Sequence, residues 1–298
     1  MKFGIVGNLS KTELCKATRD LLVSFQQRKV DYIIQDELAS AVVRHEPSCS
    51  IAKESMAPIE SIPDQCDVMI AFGGDGTILR TARLIGRRGI PIIGVNLGKL
   101  GFLTEFSADD IPVLIDRILD KNYQIEDRMV LNGRVAGDDR TILSALNDIV
   151  VDKGAYSRLI HIETYVDDEY LVTYSCDGLI ISTPTGSTGY SLSAMGPIVV
   201  PRGQVIIINP ITPHTLTARP VIVPDTSVIR AIIHSEAERV HVAADGQVNA
   251  VYAPPVELVV RKADFTIRLV TRTDQSYFDV LRTKLMWGQD IRSARKKS

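Results

Sequence analysis

The chain has 298 residues, 45% of them hydrophobic, with 34 Lys and Arg against 36 Asp and Glu. That length can bury a substantial core and leaves room for two domains, while the near balance of charge sets up no global field and argues against nucleic acid or an anionic membrane as partner, in favour of a small molecule. The four cysteines, Cys15, Cys49, Cys66 and Cys176, lie far apart, as reduced thiols do and a disulfide framework or zinc site does not; no apolar run approaches the roughly 20 residues of a membrane span, so a soluble, unprocessed, cytoplasmic protein is expected.

Residues 2–6 read as a short apolar strand, 11–28 as a helix with Leu14, Ala17, Leu21, Leu22 and Phe25 at helical spacing, and 32–34 as a second strand. This βαβ opening lacks a redox dinucleotide fingerprint, because Gly4-Ile5-Val6-Gly7-Asn8 has no third glycine. Residues 35–64 lose periodicity and read as a long loop or lid. A strand over 67–72 then runs into Gly73-Gly74-Asp75-Gly76-Thr77, with a helical pattern starting at Ile78. Glycines let backbone approach a ligand closely, and the N–H groups at a helix start favour anions, so the turn suits phosphate. Asp75 is the informative residue. A carboxylate beside phosphate oxygens is repelled unless a metal, proton or hydroxyl intervenes, which assigns Asp75 to handling a hydroxyl or a metal during phosphoryl transfer. Arg80, one turn into the helix, is a candidate for forking onto phosphate oxygens. A strand over 90–96 ends in the glycine-spaced loop 97–103, where Phe102 either stacks on a base or plugs the core. Two such strand ends side by side build the crevice in which open α/β sheets hold ligands. A helix over 109–119 follows, with Ser107 as its cap.

After Tyr123 the pattern changes to strands separated by Gly, Asp and Asn turns: 129–136, 141–151, 159–166, 170–174, 179–182, 204–208, 221–223, 227–233, 239–243 and 255–261. The fold class is therefore an α/β Rossmann-like domain over residues 1–125 and an all-β domain over 126–276. The stretch from Tyr277 is a candidate for packing back on the first domain, and Arg295-Lys296-Lys297 reads as a solvated tail. Within the β-domain, residues 177–193 carry a buried strand into a turn with five Ser or Thr around two glycines, more hydroxyls than a structural turn needs. Asn147-Asp148 interrupts an apolar run, and a polar pair inside a buried strand needs a partner; the vicinal hydroxyls of a ribose would satisfy Asp148.

The motifs Gly73 to Thr77, Asn96-Leu97-Gly98-Lys99-Leu100-Gly101-Phe102-Leu103, Asn147-Asp148, Thr183 to Ser193 and Asn209 to Pro220 together resemble those of the bacterial NAD kinase family, over nearly the whole chain. The resemblance implies ATP-dependent phosphorylation of the 2′-hydroxyl of the adenosine ribose of NAD, with Asp75 as general base and Gly76 admitting the ligand. It implies that Asn147 and Asp148 hold ribose or adenine, and that Asp177 meets the nicotinamide part. Thr188, Gly189, Tyr190 and Ser193 would line the adenine and phosphate side, with Thr185, Ser191 and Leu192 in the same binding set, and Arg158 and Gln247 match positions that touch dinucleotide. Two positions depart from the family: Gly189 stands where Ala is common and Asp148 where Glu is usual. A divalent cation, Mg2+, is expected to ride on ATP without a protein cage, and a homo-oligomer, dimer or tetramer, is implied. The alternatives are a lipid kinase with the same glycine–aspartate loop and a non-catalytic dinucleotide sensor.

Overall fold

The computed structural model describes residues 1–98, 101–120, 122–138, 141 and 143–287; Lys99 and Leu100 of the glycine-spaced loop and the Arg295-Lys296-Lys297 tail lie outside the described residues. The chain divides into two compact units, one formed by Met1–Glu126 with the chain from Arg268 onward, the other by Asp127–Ile267.

The first unit opens with β1 (Lys2–Gly7), α1 (Leu14–Arg28) and β2 (Asp31–Gln35), followed by α2 (Asp36–His45), β3 (Met56–Ala57), β4 (Val68–Phe72), α3 (Asp75–Ile85), β5 (Ile92–Asn96), β6 (Phe106–Ser107) and α4 (Ile111–Leu119). Its sheet is parallel, in the order β5-β4-β1-β2-β3. β4 and β5 are buried at every position, as strands covered on both faces must be. Phe3, Leu21, Phe25, Leu38, Val42, Phe72 and Ile115 belong to one apolar core.

The loop or lid expected over residues 35–64 is largely ordered secondary structure. α2 buries Leu38, Ala39 and Val42 while Asp36 and Glu37 in its first turn and Arg44 in its last complement the helix dipole, and a 3-10 turn over Ile59–Asp64 follows. The helix begins directly after β2 with no turn residue between them, which conceals the change of period. Ser107 does cap a helical turn, in a reciprocal box with Asp110.

The second unit contains β7 (Gln124–Val135, from its fourth residue), β8 (Leu143–Ala145), β9 (Asp148–Asp152), β10 (Ile160–Val166), β11 (Glu169–Cys176), β12 (Gly178–Ser182), α5 (Tyr190–Ser193), β13 (Val205–Ile211), β14 (Val221–Pro224), β15 (Ile229–His234), β16 (Val240–Ala244), β17 (Val248–Tyr252) and most of β18 (Val256–Thr271). One antiparallel sheet runs β14-β13-β12-β9-β16-β17. Ile149, Val151, Leu179, Ile181, Ile206 and Val242 from it pack in one core with Ile160 and Ile162 of β10, Ile229 of β15 and Leu258 of β18. Because side chains alternate along a strand, Asp148, Val150 and Asp152 point from the opposite face of β9. The last residues of β18 pair Leu269 with Ile92 of β5, so the chain rejoins the first unit at Arg268 rather than at Tyr277; α6 (Tyr277–Leu285) follows. Among the described residues no helix is long and apolar enough to cross a membrane.

Candidate functional site

In the first unit the backbone leaves β4 through Gly73 at φ +157°, where a Cβ would stand 2.1 Å from Thr77 Oγ1, so glycine is required there. α3 starts at Asp75, not at Ile78, with Gly74 as its N-cap; glycine in the first turn weakens the local helical signal. The Asp75 carboxylate therefore sits in a helix's first turn, where the dipole favours negative charge. Its Oδ2 accepts the Phe102 N–H at 2.8 Å and its Oδ1 accepts the Leu103 N–H at 3.0 Å, with Thr104 Oγ1 at 3.5 Å. A Cβ on Gly101 would lie 1.8 Å from Asp75 Oδ1, so this loop can close on the carboxylate only with glycine at 101. A carboxylate has about four lone-pair sites, and with three donors already on it about one remains, on Oδ2, for a hydroxyl.

Phe102 is half-buried and outside the apolar core, its ring 5.8 Å from Lys284 Nζ of α6. At the α3 N-terminus a cavity of about 330 Å³ is lined by Asn8, Lys11, Ile59, Gly76, Thr77 and Arg80 among others. Its size suits a small ligand, and Lys11 and Arg80 supply two cations. A Cβ on Gly76 would meet nothing within 4 Å among the described residues, so the backbone there borders open space.

In the second unit the strand expected over 141–151 is broken. Leu146 and Asn147 separate β8 from β9, and their backbone is held by Asp245, whose carboxylate accepts the N–H groups of Leu146 at 2.8 Å, Asn147 at 2.7 Å and Asp148 at 3.1 Å. Asp245 lies just past β16 at φ +53° and donates its own N–H to the Asp148 carbonyl. Sequence reading singled out Gln247 from this turn and missed Asp245; the local signal was the Asp-Gly pair between two strands. Gln247 is half-buried and its N–H bonds the Ala244 carbonyl.

Asp148 is only 5% exposed, and burial first, then the Asp245 charge, pushes its carboxyl up to about 7. Burial also raises Asp245, against the three N–H groups that favour its ionised form. The Asn147 side-chain carbonyl is buried with no partner among the described residues, as is the hydroxyl of Thr185. An atom added as Cβ to Gly189 would stand 3.3 Å from Asn147 Nδ2 and 3.8 Å from Asp148 Oδ2. Asn147, Asp148, Asp245 and Gly189 are thus one cluster.

The hydroxyl-rich turn is more structural than its composition implied. Thr183 Oγ1 donates to the Leu146 carbonyl and accepts the Gly186 N–H, Ser182 Oγ donates to the Asn147 carbonyl, and Ser187 Oγ bridges the backbone of Val199. Ser191 is buried, and Asn209 Nδ2 donates to its carbonyl and hydroxyl, so it braces the turn from within. Thr188 Oγ1 donates to the Thr185 carbonyl. Tyr190 and Ser193 are exposed and Leu192 half-buried. These bonds fasten the turn to the break at Leu146 and Asn147, and the side chains left exposed on it are Tyr190 and Ser193, with the unpartnered Thr185 hydroxyl buried beneath.

Asp177 directly precedes β12, at the end of that strand away from Ser182. Lys153 Nζ is 2.6 Å from its Oδ1 and Thr212 Oγ1 donates to its Oδ2; both hold its carboxyl below the usual range, Lys153 most strongly. Arg158 stands apart, in an exposed ion pair with Glu236. Among the described residues no group of three or more His, Cys, Asp or Glu could hold a metal ion.

A glycine turn with a fixed carboxylate beside a cationic cavity, together with a second cluster of buried polar atoms on a β-sheet face, defines a small-molecule phosphotransferase. The family profile described as the ATP-NAD kinase N-terminal domain matches residues 3–123 and the one described as the ATP-NAD kinase C-terminal domain matches residues 146–272. An NAD kinase of Geotalea daltonii is 42% identical over 272 residues, covering 90% of this chain and 94% of the relative; one of Geobacter sulfurreducens is 48% identical over 232 residues, 77% and 82% of the two chains. The crystal structure of yeast NADH kinase complexed with NADH superposes with a TM-score of 0.88 at 25% identity, covering 98% of this chain and 89% of that one. An Archaeoglobus fulgidus NAD kinase crystallised with ATP shares the fold, with a TM-score of 0.76 at 24% identity over 96% of this chain and 99% of that one. The chain belongs to the NAD kinase family.

Proposed function

We propose that the protein transfers the terminal phosphoryl group of ATP to the 2′-hydroxyl of the adenosine ribose of NAD, giving NADP and ADP. The observation that carries this reading is Asp75, an acid fixed by two backbone N–H groups at a helix start beside a cavity with two cations. The hydroxyl oxygen forms a bond to the γ-phosphorus as the bond to the β,γ-bridging oxygen breaks, and the hydroxyl proton passes to Asp75. Lys11, Arg80 and the α3 N–H groups hold triphosphate oxygens. Asn147 and Asp148 hold the ribose, their backbone fixed by Asp245. Mg2+ riding on ATP would neutralise the triphosphate charge. The free cysteines support a cytoplasmic location, and the exposed Met195, Leu216 and Ile222 support a homo-oligomer. Purified protein given NAD, ATP and Mg2+ is expected to form a product that an NADP-specific dehydrogenase reduces; NAD binding with no such product would overturn the reading.

Asp148 gives the reaction a pH dependence. Ribose hydroxyls donate to the ionised carboxylate, so binding requires Asp148 to lose its proton. KM for NAD is expected to fall as pH rises from 6 to 8, by up to about tenfold per pH unit below the Asp148 value, and to flatten in Asp148→Asn. For the unliganded fold the sign is opposite. A carboxyl raised from 3.8 to about 7 contributes stability that is full below 3.8 and is lost as pH rises through 7, at most roughly 4 kcal/mol. Thermal unfolding of the parent and of Asp148→Asn across this range checks it: the parent should lose more stability toward pH 8.

A further inference from the structure

The strand β9 is a ruler along the site face. Asp148 and Asp152 lie on that face four residues apart, about 13 Å at strand rise, with Ser182 and Gly178 of β12 opposite them. Asp177 directly precedes Gly178, and its carbonyl accepts the Lys153 N–H. The Tyr190 phenol, on an exposed side chain, is raised by burial first and then by the charges of Asp152, Asp148 and Asp177. Pyrophosphate would be repelled from the Asp152 and Asp177 end, and a cationic ring would be drawn to it. With the ribose at Asp148, the nicotinamide half of the dinucleotide is the part with reason to lie there. Its oxidised ring carries one positive charge and its reduced ring none, while the two are closely similar in size.

We propose that Lys153 sets the preference between oxidised and reduced dinucleotide by neutralising Asp177. The inference rests on the NAD kinase reading of the site. Lys153 comes from the turn between Asp152 and Gly154, with a side chain 21% exposed against 35% for Asp177, so the pair is partly withdrawn from solvent and only partly screened. With Lys153 in place, Asp177 is balanced and Asp152 supplies the attraction for the pyridinium at this end of the face. Without it, Asp177 adds a second unbalanced negative charge, which favours the oxidised ring and leaves the neutral ring nearly unaffected.

The test is the ratio of kcat/KM for NAD to that for NADH, measured in the parent, Lys153→Met, Lys153→Arg and the double variant Lys153→Met with Asp177→Asn. Lys153→Met is expected to raise the ratio about tenfold, the effect of one charge a few ångströms away at intermediate dielectric. Lys153→Arg should keep the parental ratio, and the double variant should return to it. Each ratio is internal to one protein, so a partly unfolded preparation lowers both values together. If Lys153→Met loses both activities, the ratio of NAD and NADH dissociation constants from calorimetry reads the same quantity. A Lys153→Met ratio within about twofold of the parent overturns the inference. A parent that phosphorylates neither dinucleotide overturns the functional reading, which a parent active on both leaves standing.

Discussion

Asp75→Asn is expected to bind nucleotide and to turn over about 10²–10⁴-fold more slowly, the usual contribution of a general base. The substitution removes the acceptor of the hydroxyl proton. It also places an NH2 group against one of the two N–H donors, Phe102 or Leu103, that now meet carboxylate oxygens at 2.8 and 3.0 Å. Asp75→Glu separates the two effects, since it restores an acid but presses a longer side chain toward Gly101, whose position already leaves no room for a Cβ. Turnover should recover only in part. Parental kcat in Asp75→Asn, with NAD and ATP affinities unchanged, would remove the acid from the mechanism.

Asp245→Ala is expected to damage stability and acceptor binding together. Three backbone N–H groups at the β8–β9 break lose their acceptor, and each buried donor left without a partner costs roughly 1–3 kcal/mol. Some relaxation toward water brings the sum to roughly 3–5 kcal/mol, a fall in Tm of about 10 °C for a unit of this size. With Asn147 and Asp148 no longer fixed, KM for NAD should rise by one to two orders of magnitude while KM for ATP changes little. Asp245→Asn keeps one acceptor oxygen and should fall between the two. A melting temperature and KM equal to the parent's would show that the break is held by other means.

The strand, glycine turn and helix around Asp75 were legible because they are local: apolar run, turn residues and helical period follow one another within twenty residues. The two-domain α/β and all-β class was legible for the same reason, from a change of period after Tyr123. α2 was not, since the helix begins at the residue directly after β2 and its short apolar stripe of Leu38, Ala39 and Val42 is hard to tell from loop composition. Asn147 and Asp148 stood out as an anomaly, but what satisfies their backbone is 97 and 98 residues away in sequence, and no periodicity carries that information. The hydroxyls of 183–191 misled in the opposite direction. Composition cannot say whether a hydroxyl faces a ligand or the chain's own carbonyls, and Thr183, Ser187 and Ser191 proved to face the chain.

The long reach of Asp245 orders events during synthesis. A nascent chain that has emerged only as far as β15 already contains Asp75, Asn147, Asp148 and the whole hydroxyl turn, yet the strap around Leu146 lacks its anchor until β16 and the residue after it leave the ribosome. On the proposed assignment of the site, acceptor recognition is therefore among the last properties the growing polypeptide acquires, and fragments released earlier would carry the Asp75 turn without the anchored strap at Asn147 and Asp148.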